Sequence, residues 1–313
     1  MQNDIAFSII TPVYNCEQYI AETISSVLKY VGKFNFEYIV INDGSNDGSL
    51  EVIKRYSDKI VLIDQENLGE AAAINRALEI SKGRYCLIVS ADDPLCNEGL
   101  FTHAYKILES NPKTIVAYPD WSMIDDDGKV LSEIITEEYS EETLIGKFKC
   151  IPGPGAVFRT EIAKKVGGRN TSYKFVSDYD FWLKLSRYGS FSRIPLFLAQ
   201  WRHHENSTSI KLRGFTMANE RILVIDNFIK ANTINPNLAK SAIAYSYYHA
   251  AILAYFNSAI PGRKWMMESF RIYGGWIPGA KVRVVLYLLL FPSSYHLVQM
   301  LNKTKLGSFL PKG

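Results

Sequence analysis

Over its first 120 or so residues the chain alternates short apolar runs with amphipathic stretches, and this alternation restricts the fold more than any other feature. Residues 7–13 are apolar and rich in β-formers, and residues 17–30 carry helical periodicity. The pattern repeats as strand 38–41, a turn-rich 44–48 and a helix through Tyr56, then strand 60–63 and the Ala-rich helix 69–81. Strand 85–89 and helix 97–110 complete it. Repeated β–α units with near-continuous apolar strands predict a mostly parallel sheet covered on both faces. Such sheets bind ligands beyond the carboxyl ends of their strands, so the residues just after each strand are the ones to read for chemistry.

From residue 114 the pattern changes. Residues 114–124 and 130–135 read as paired strands around the turn Asp126-Asp127-Gly128. Residues 178–188 read as a helix, 191–202 as extended, and everything past Gly214 as helical, punctuated by Asn235-Pro236-Asn237 and by Pro261-Gly262. The chain is therefore divided into a sheet domain, residues 1–213, and a helical region, residues 214–313.

With 47% hydrophobic and 21% charged residues, 313 residues can bury a full core, which excludes a disordered or fibrous chain. The net charge of +3 is too small for a generic nucleic-acid binder, but it averages two unlike halves. Residues 210–313 hold thirteen Lys or Arg against three acids, a net +10, so the first 209 carry −7. Cys16, Cys86, Cys96 and Cys150 form no CxxC pair, so reduced thiols are expected and neither a zinc site nor a disulfide framework. The start MQNDIAFSII has no basic segment or long apolar run, so no signal peptide is expected. The apolar run 282–291 contains Arg283 and is far shorter than the roughly 20 residues of a spanning helix.

Four acidic positions follow strands or open a helix. Asp43 follows 39–42, Asp92 and Asp93 follow 85–91, and Asp178 opens a helix. Adjacent carboxylates raise each other's pKa, and a divalent cation removes that cost. Oxygen ligands suit Mg²⁺ or Mn²⁺, and Mg²⁺ is usually shared with substrate phosphates, which points to a nucleoside diphosphate ligand. Each position also has a plain structural reading: Asp92-Asp93-Pro94 as a cap or turn, Asp43-Gly44-Ser45 as a turn plus cap, Gly69 as a packing glycine, and Trp201-Arg202-His203-His204 as a surface loop. Their joint order at the ends of successive elements favours a site.

These residues resemble the motifs of family 2 glycosyltransferases. Thr11-Pro12-Val13-Tyr14-Asn15 with Glu17 resembles the opening block, and 39–45 with Asp47-Gly48-Ser49 the second. Asn67-Leu68-Gly69 through Asn75 resembles the third, and Ser90-Ala91-Asp92-Asp93 the metal block. Gly155-Ala156-Val157-Phe158-Arg159 resembles the acceptor-side segment, 178–185 the base block, and Arg202, His204, Ser207 and Ser209 the closing block. The matches run in order from about residue 7 to 209.

The resemblance implies a GT-A fold, an α/β nucleotide-sugar-binding sheet, here with a C-terminal helical extension. It implies an inverting enzyme that moves a sugar from a UDP-, dTDP- or GDP-linked donor to a glycan or lipid-linked acceptor, in a polysaccharide or surface-glycan pathway. Pro12, Tyr14, Glu17, Asp43 and Asp92 would line the nucleotide pocket. Asp92, Asp93 and His204 would serve the divalent metal and diphosphate, and Asp178 would be the base. Gly155, Trp182 and Arg202 would lie on the donor or acceptor side. Two departures stand out: Ser90 and Ser177 replace acids common at those places. A nucleotidyltransferase would need a Gly- and Lys-bearing loop after the first strand, which residues 11–17 lack. A degenerate binding protein is disfavoured by Asp43, Asp92, Asp93 and Asp178 together, and a nucleic-acid binder by the acidic body. The basic, aromatic tail (263–273 and 281–291) reads as a packing bundle, a surface for an anionic membrane, or a dimerisation element. The resulting expectation is a cytoplasmic enzyme, docked peripherally on the inner face of the membrane or assembled with itself.

Overall fold

The computed structural model describes residues 5–204, 214–256 and 261–280. Its strands are β1 (Phe7–Val13), β2 (Phe36–Asp43), β3 (Val61–Gln65), β4 (Tyr85–Ile88), β5 (Thr114–Ile124), β6 (Val130–Ile134), β7 (Val157–Arg159) and β8 (Ser190–Arg202). Its helices are α1 (Glu17–Tyr30), α2 (Ser49–Lys54), α3 (Glu70–Ile80), α4 (Gly99–Ser110), α5 (Thr160–Lys165), α6 (Ser177–Ser186), α7 (Phe215–Ala231), α8 (Pro236–Phe256) and α9 (Pro261–Tyr273), with a π-turn at Glu142–Gly146. The predicted helix 281–291 lies outside the described residues. Three short pieces were not predicted: the π-turn, β7 and α5.

One sheet runs β3-β2-β1-β4-β7-β5-β6, with β8 joined to β5. The first four strands are mutually parallel, while β7 is antiparallel to both β4 and β5. Burial follows position. All seven residues of central β1 are buried, whereas the edge strands β3 and β6 keep exposed residues. Around β1, Phe7 meets Phe34 and Phe101 edge-to-face, with centroids at 5.0 and 5.1 Å.

Pro12 explains where the sheet opens. A proline cannot donate to a ladder, so it is out of place inside a doubly paired strand. The β1–β4 register ends at Ile10↔Ile88, while β1–β2 pairing continues to Val13↔Asn42. Ile10 C=O accepts the Val89 N–H at 2.9 Å, so Ile10 faces β4, and by the two-residue period Pro12 faces the same side. Its missing N–H therefore falls where β4 has already left the ladder. A crevice opens there between β1 and β4, the kind of place where doubly wound sheets bind ligands.

The contacts divide the chain into two units. One holds residues up to Ser140, Cys150–Ser172 and Ser177–His204; the other holds Glu141–Lys149, Tyr173–Val176 and the described residues after His204. Two segments from the first 213 residues thus group with the C-terminal helices. Within that second unit, the buried Glu220 on α7 accepts the Lys174 and Phe175 N–H groups at 2.9 and 2.8 Å. Ser241 on α8 donates to the Gly146 carbonyl at 3.0 Å. Ala218, Ala250 and Ala254 form the small-residue contact between α7 and α8, flanked by Trp265. Among the described residues no helix is long and apolar enough to cross a membrane.

His249 on α8 packs beside Phe148, Tyr245 and Tyr248, and its Nε2 lies 3.3 Å from the Lys147 carbonyl. Burial first, and the Arg221 charge second, depress it to about 3, outweighing the bond to Lys147. The native state thus holds a neutral imidazole, while the unfolded chain takes up a proton near 6.5. Stability is full above about pH 6.5 and declines as pH falls from there, by at most about 1.4 kcal/mol per unit. The expected result is that His249→Gln flattens the acid limb of a melting-temperature profile between about pH 6.5 and 4. Parallel acid limbs for the two proteins would show that His249 is not the group responsible.

Candidate functional site

The loops after β1 and β2 are zipped together by crossing hydrogen bonds. Asn15 N–H donates to Ser45 Oγ (3.1 Å), Cys16 N–H to Ser49 Oγ (2.9 Å) and Glu17 N–H to Asp47 Oδ2 (3.1 Å). In return Asn46 N–H donates to Asn15 Oδ1 (2.7 Å) and Gly48 N–H to Glu17 Oε2 (2.9 Å). The Glu17 carboxylate therefore clasps the neighbouring loop. Tyr14, at the tip of β1, is 49% exposed and available to a ligand, while Pro12 is buried at the crevice.

Asp43 ends β2 and is buried. Its Oδ1 accepts Gln65 Nε2 (2.7 Å) and Leu68 N–H (2.9 Å), and its Oδ2 accepts Gly69 N–H (2.9 Å). Three bonds fix this carboxylate and the loop into α3 together. A carboxylate has about four acceptor positions, so acceptor capacity remains for a ligand. The next residue, Gly44, has φ +70°, and a Cβ there would sit 2.6 Å from the Asn67 backbone nitrogen. Only glycine allows the two loops to come this close.

Asp92 and Asp93 follow β4 and face different surroundings. Asp92 has 26% of its side chain exposed, and its Oδ2 lies 2.9 Å from His204 Nε2. Asp93 is buried, and its Oδ1 accepts the Arg202 N–H at 2.7 Å. Burial, then the Asp92 charge, push Asp93 well above the usual carboxylate range, against the Arg202 N–H, the Ser90 hydroxyl and the Arg202 charge. Ser90, where the resemblance leads one to expect an acid, thus supports Asp93. Cys16 lies in the same field: burial, then the Asp92, Asp47 and Asp93 charges, push its thiol up to about 12. The ends of β1, β2 and β4 therefore converge electrostatically.

Arg202, expected on the donor or acceptor side, is buried and holds the backbone at the end of β4. It is 1% exposed. Its Nε donates to the Asp92 carbonyl (2.9 Å), its Nη1 to the Asp125 and Asp126 carbonyls (2.9 and 2.7 Å), and its Nη2 to Glu22 Oε2 (2.7 Å). The guanidinium lies over the Tyr19 ring at 4.9 Å, and the Tyr19 hydroxyl donates to Asp126 Oδ1 at 2.7 Å. Arg202 is a buried hub that ties β4, α1 and the β5–β6 turn to β8. Trp182 is also interior: it is 5% exposed and packs against Phe158, Phe181 and Phe191. Gly155, with φ +78°, serves close packing, since a Cβ there would meet Ala199 Cβ at 2.7 Å and Pro119 Cγ at 2.9 Å. Asp178 lies in the first turn of α6, half-buried, with its Oδ1 accepting the Tyr179 N–H at 2.7 Å.

The family model described as glycosyl transferase family 2 matches residues 8–167, just over half of the chain. The chain belongs to glycosyl transferase family 2. Within this family it is similar to an uncharacterized glycosyltransferase of Rickettsia typhi, 34% identical over 209 residues. That alignment covers 64% of this chain and 65% of the relative, so the chain spans less than two thirds of that relative's length. The fold is of the GT-A type. It superposes on S. aureus TarS (residues 1–349, in complex with UDP-GlcNAc) with a TM-score of 0.65 at 19% identity, covering 89% of this chain and 82% of that one. It superposes on the mannosyltransferase PcManGT of Pyrobaculum calidifontis, in complex with GDP-Man and Mn²⁺, with a TM-score of 0.59 at 15% identity, covering 96% and 81%.

The donor set beside the crevice fits a divalent cation. Asp92 offers a part-exposed carboxylate, a donor that suits Mn²⁺ or Mg²⁺, and the His204 imidazole lies beside it. Among the described residues no three His, Cys, Asp or Glu gather into a complete cage. A cation held here would share its remaining positions with diphosphate oxygens and water, as Mg²⁺ commonly does.

Proposed function

We propose that this chain transfers a sugar from a nucleoside-diphosphate sugar to a hydroxyl acceptor by a single displacement with inversion. The observation that carries the reading is the Asp92–His204 pair at the end of β4, at the same sheet edge as the fixed Asp43. Asp43, Pro12 and Tyr14 bind the nucleotide, and Glu17 holds the loop that carries Tyr14. The acceptor oxygen attacks the anomeric carbon, and the bond from that carbon to the diphosphate oxygen breaks. The electron pair leaves with the diphosphate, and the acceptor proton passes to Asp178. A single carboxylate base with no candidate covalent nucleophile implies inversion. A divalent cation held by Asp92 and His204, with Asp93 behind them, would stabilise the charge developing on the departing diphosphate.

Residues 1–213 supply this chemistry, with 141–149 and 173–176 assigned to the helical part. The helical part, 214–313, carries the contact with the acceptor's surroundings. On α9, Arg263, Lys264, Glu268 and Arg271 line a patch around Met267, which is 56% exposed; Glu268 pairs with Arg271, leaving Arg263 and Lys264 as its net positive charge. This supports peripheral contact with an anionic membrane that presents a lipid-linked or growing glycan. A thermal-shift screen of UDP, dTDP and GDP tests the donor reading. The native state gains RT ln(1 + [L]/Kd), so ligand at about 100 times Kd adds about 2.7 kcal/mol. One nucleotide should raise the melting temperature by several degrees with Mn²⁺ and much less with chelator. No shift from any nucleotide, with or without metal, would sink the reading.

A further inference from the structure

Asp92 is braced from several sides, and α1 supplies the first of the braces. Thr23 and Ser26, both buried, hold the chain on either side of Asp92 and Asp93. Thr23 Oγ1 donates to the Ala91 carbonyl (2.8 Å), and Ser26 Oγ accepts the Leu95 N–H (2.8 Å). Arg202 Nε donates to the Asp92 carbonyl (2.9 Å), and Asp93 Oδ1 accepts the Arg202 N–H (2.7 Å). With the backbone fixed in this way, what remains to be set is the Asp92 side chain. His204 Nε2 lies 2.9 Å from its Oδ2, so the orientation of the carboxylate depends on the orientation of the imidazole.

Tyr19 sets the imidazole. It lies one helical turn before Thr23, so both side chains project from the same face of α1. Tyr19 is 8% exposed, and its ring meets the His204 ring with centroids at 5.0 Å and planes at 45°. The Tyr19 ring is pinned in turn. Its hydroxyl donates to Asp126 Oδ1 (2.7 Å), and the Arg202 guanidinium lies over its face at 4.9 Å. One aromatic ring thus touches both residues that hold Asp92, Arg202 at the backbone and His204 at the carboxylate. Groups that orient a metal-binding side chain from behind govern affinity nearly as much as the ligands do. We infer that Tyr19 is a positioning residue: its ring holds the His204 imidazole against Asp92, so that, on the donor reading above, the carboxylate is aimed before the diphosphate and its cation arrive.

Two measurements on the full chain test this. The first needs no ligand. The His204 ring protons, assigned in the NMR spectrum by their loss in His204→Ala, should carry a ring-current shift that Tyr19→Leu removes and Tyr19→Phe keeps. The second is Mn²⁺ affinity, followed by the EPR signal of the free ion with UDP, dTDP or GDP present. Tyr19→Leu should weaken it by about tenfold, the lower end of what a supporting group around a metal ligand contributes. Tyr19→Phe keeps the ring and should bind Mn²⁺ like wild type. Because Tyr19 acts through His204, Tyr19→Leu combined with His204→Ala should bind no more weakly than His204→Ala alone. Tyr19→Met takes the place of Tyr19→Leu if the leucine variant does not fold. An unmoved His204 signal in Tyr19→Leu overturns the inference. So does wild-type Mn²⁺ affinity in that variant, or additive losses in the double variant. A wild-type protein that binds no Mn²⁺ with any of the three nucleotides would sink the metal reading instead, and the His204 signal alone then decides for or against Tyr19.

Discussion

Arg202→Met is expected to lower stability by about 3–5 kcal/mol and the melting temperature by on the order of 10 °C. Methionine fills similar space but offers no donor. The Asp92, Asp125 and Asp126 carbonyls each lose the guanidinium, and a buried acceptor left without a donor costs about 1–3 kcal/mol, the cost being smallest at the exposed Asp126. Glu22 contributes less, because its side chain is 54% exposed and water replaces the lost partner. Glu22→Gln should therefore cost less than about 1 kcal/mol, as exposed pairs do. The contrast between the two variants, measured by denaturant or thermal melts, separates a buried hub from a surface ion pair. An Arg202→Met melting temperature within about 2 °C of wild type would contradict the hub. The same variant should also weaken the Mn²⁺-dependent part of any nucleotide shift, since Arg202 anchors the backbone of Asp92.

The partners of Arg202, Trp182 and Gly155 are not legible in the sequence. A charged residue in a motif next to His204 invites a ligand role. Three acceptors that hold the guanidinium are backbone carbonyls, which no pattern of side chains reveals. Trp182 belongs to the Phe158–Phe181–Phe191 cluster, and aromatic neighbours brought together from different elements cannot be read from a helix segment alone. Glu22 and Tyr19 were missed for the converse reason. They lie three residues apart on one side of α1, a spacing that signals only a shared helix face.

Other features were legible because local chemistry decides them. β1 and α1 begin and end where the apolar run and the helical period place them, since a strand buried on both faces must be continuously apolar. The three-residue β7 has no such signal, because its length is set by the two antiparallel neighbours it joins. Residues 173–176 group with the helices through Glu220, a buried acid whose partners are again backbone N–H groups. The Asp43 and Asp92 positions were legible because a parallel sheet puts its strand ends on one edge. Which protein groups their oxygens accept from was not.

Asp178→Asn is expected to lower transfer by about 10²–10⁴-fold while leaving nucleotide binding intact. The exchange is nearly isosteric. Asparagine keeps an oxygen to accept the Tyr179 N–H, so the first turn of α6 should hold. What is lost is the proton acceptor, and an acceptor hydroxyl that keeps its proton is a weak nucleophile. Asp43 and Asp92 lie on other loops and keep their own partners, so the nucleotide shift with Mn²⁺ should match wild type. Asp92→Asn should do the opposite, reducing the metal-dependent shift together with the rate, because it removes a charged donor beside His204. The pair of variants separates proton transfer from diphosphate binding. Near-normal turnover in Asp178→Asn would assign the proton to another group and leave the nucleotide site as described. Loss of the nucleotide shift in Asp178→Asn would instead place Asp178 against the donor, and the division of roles between α6 and the strand ends would have to be redrawn.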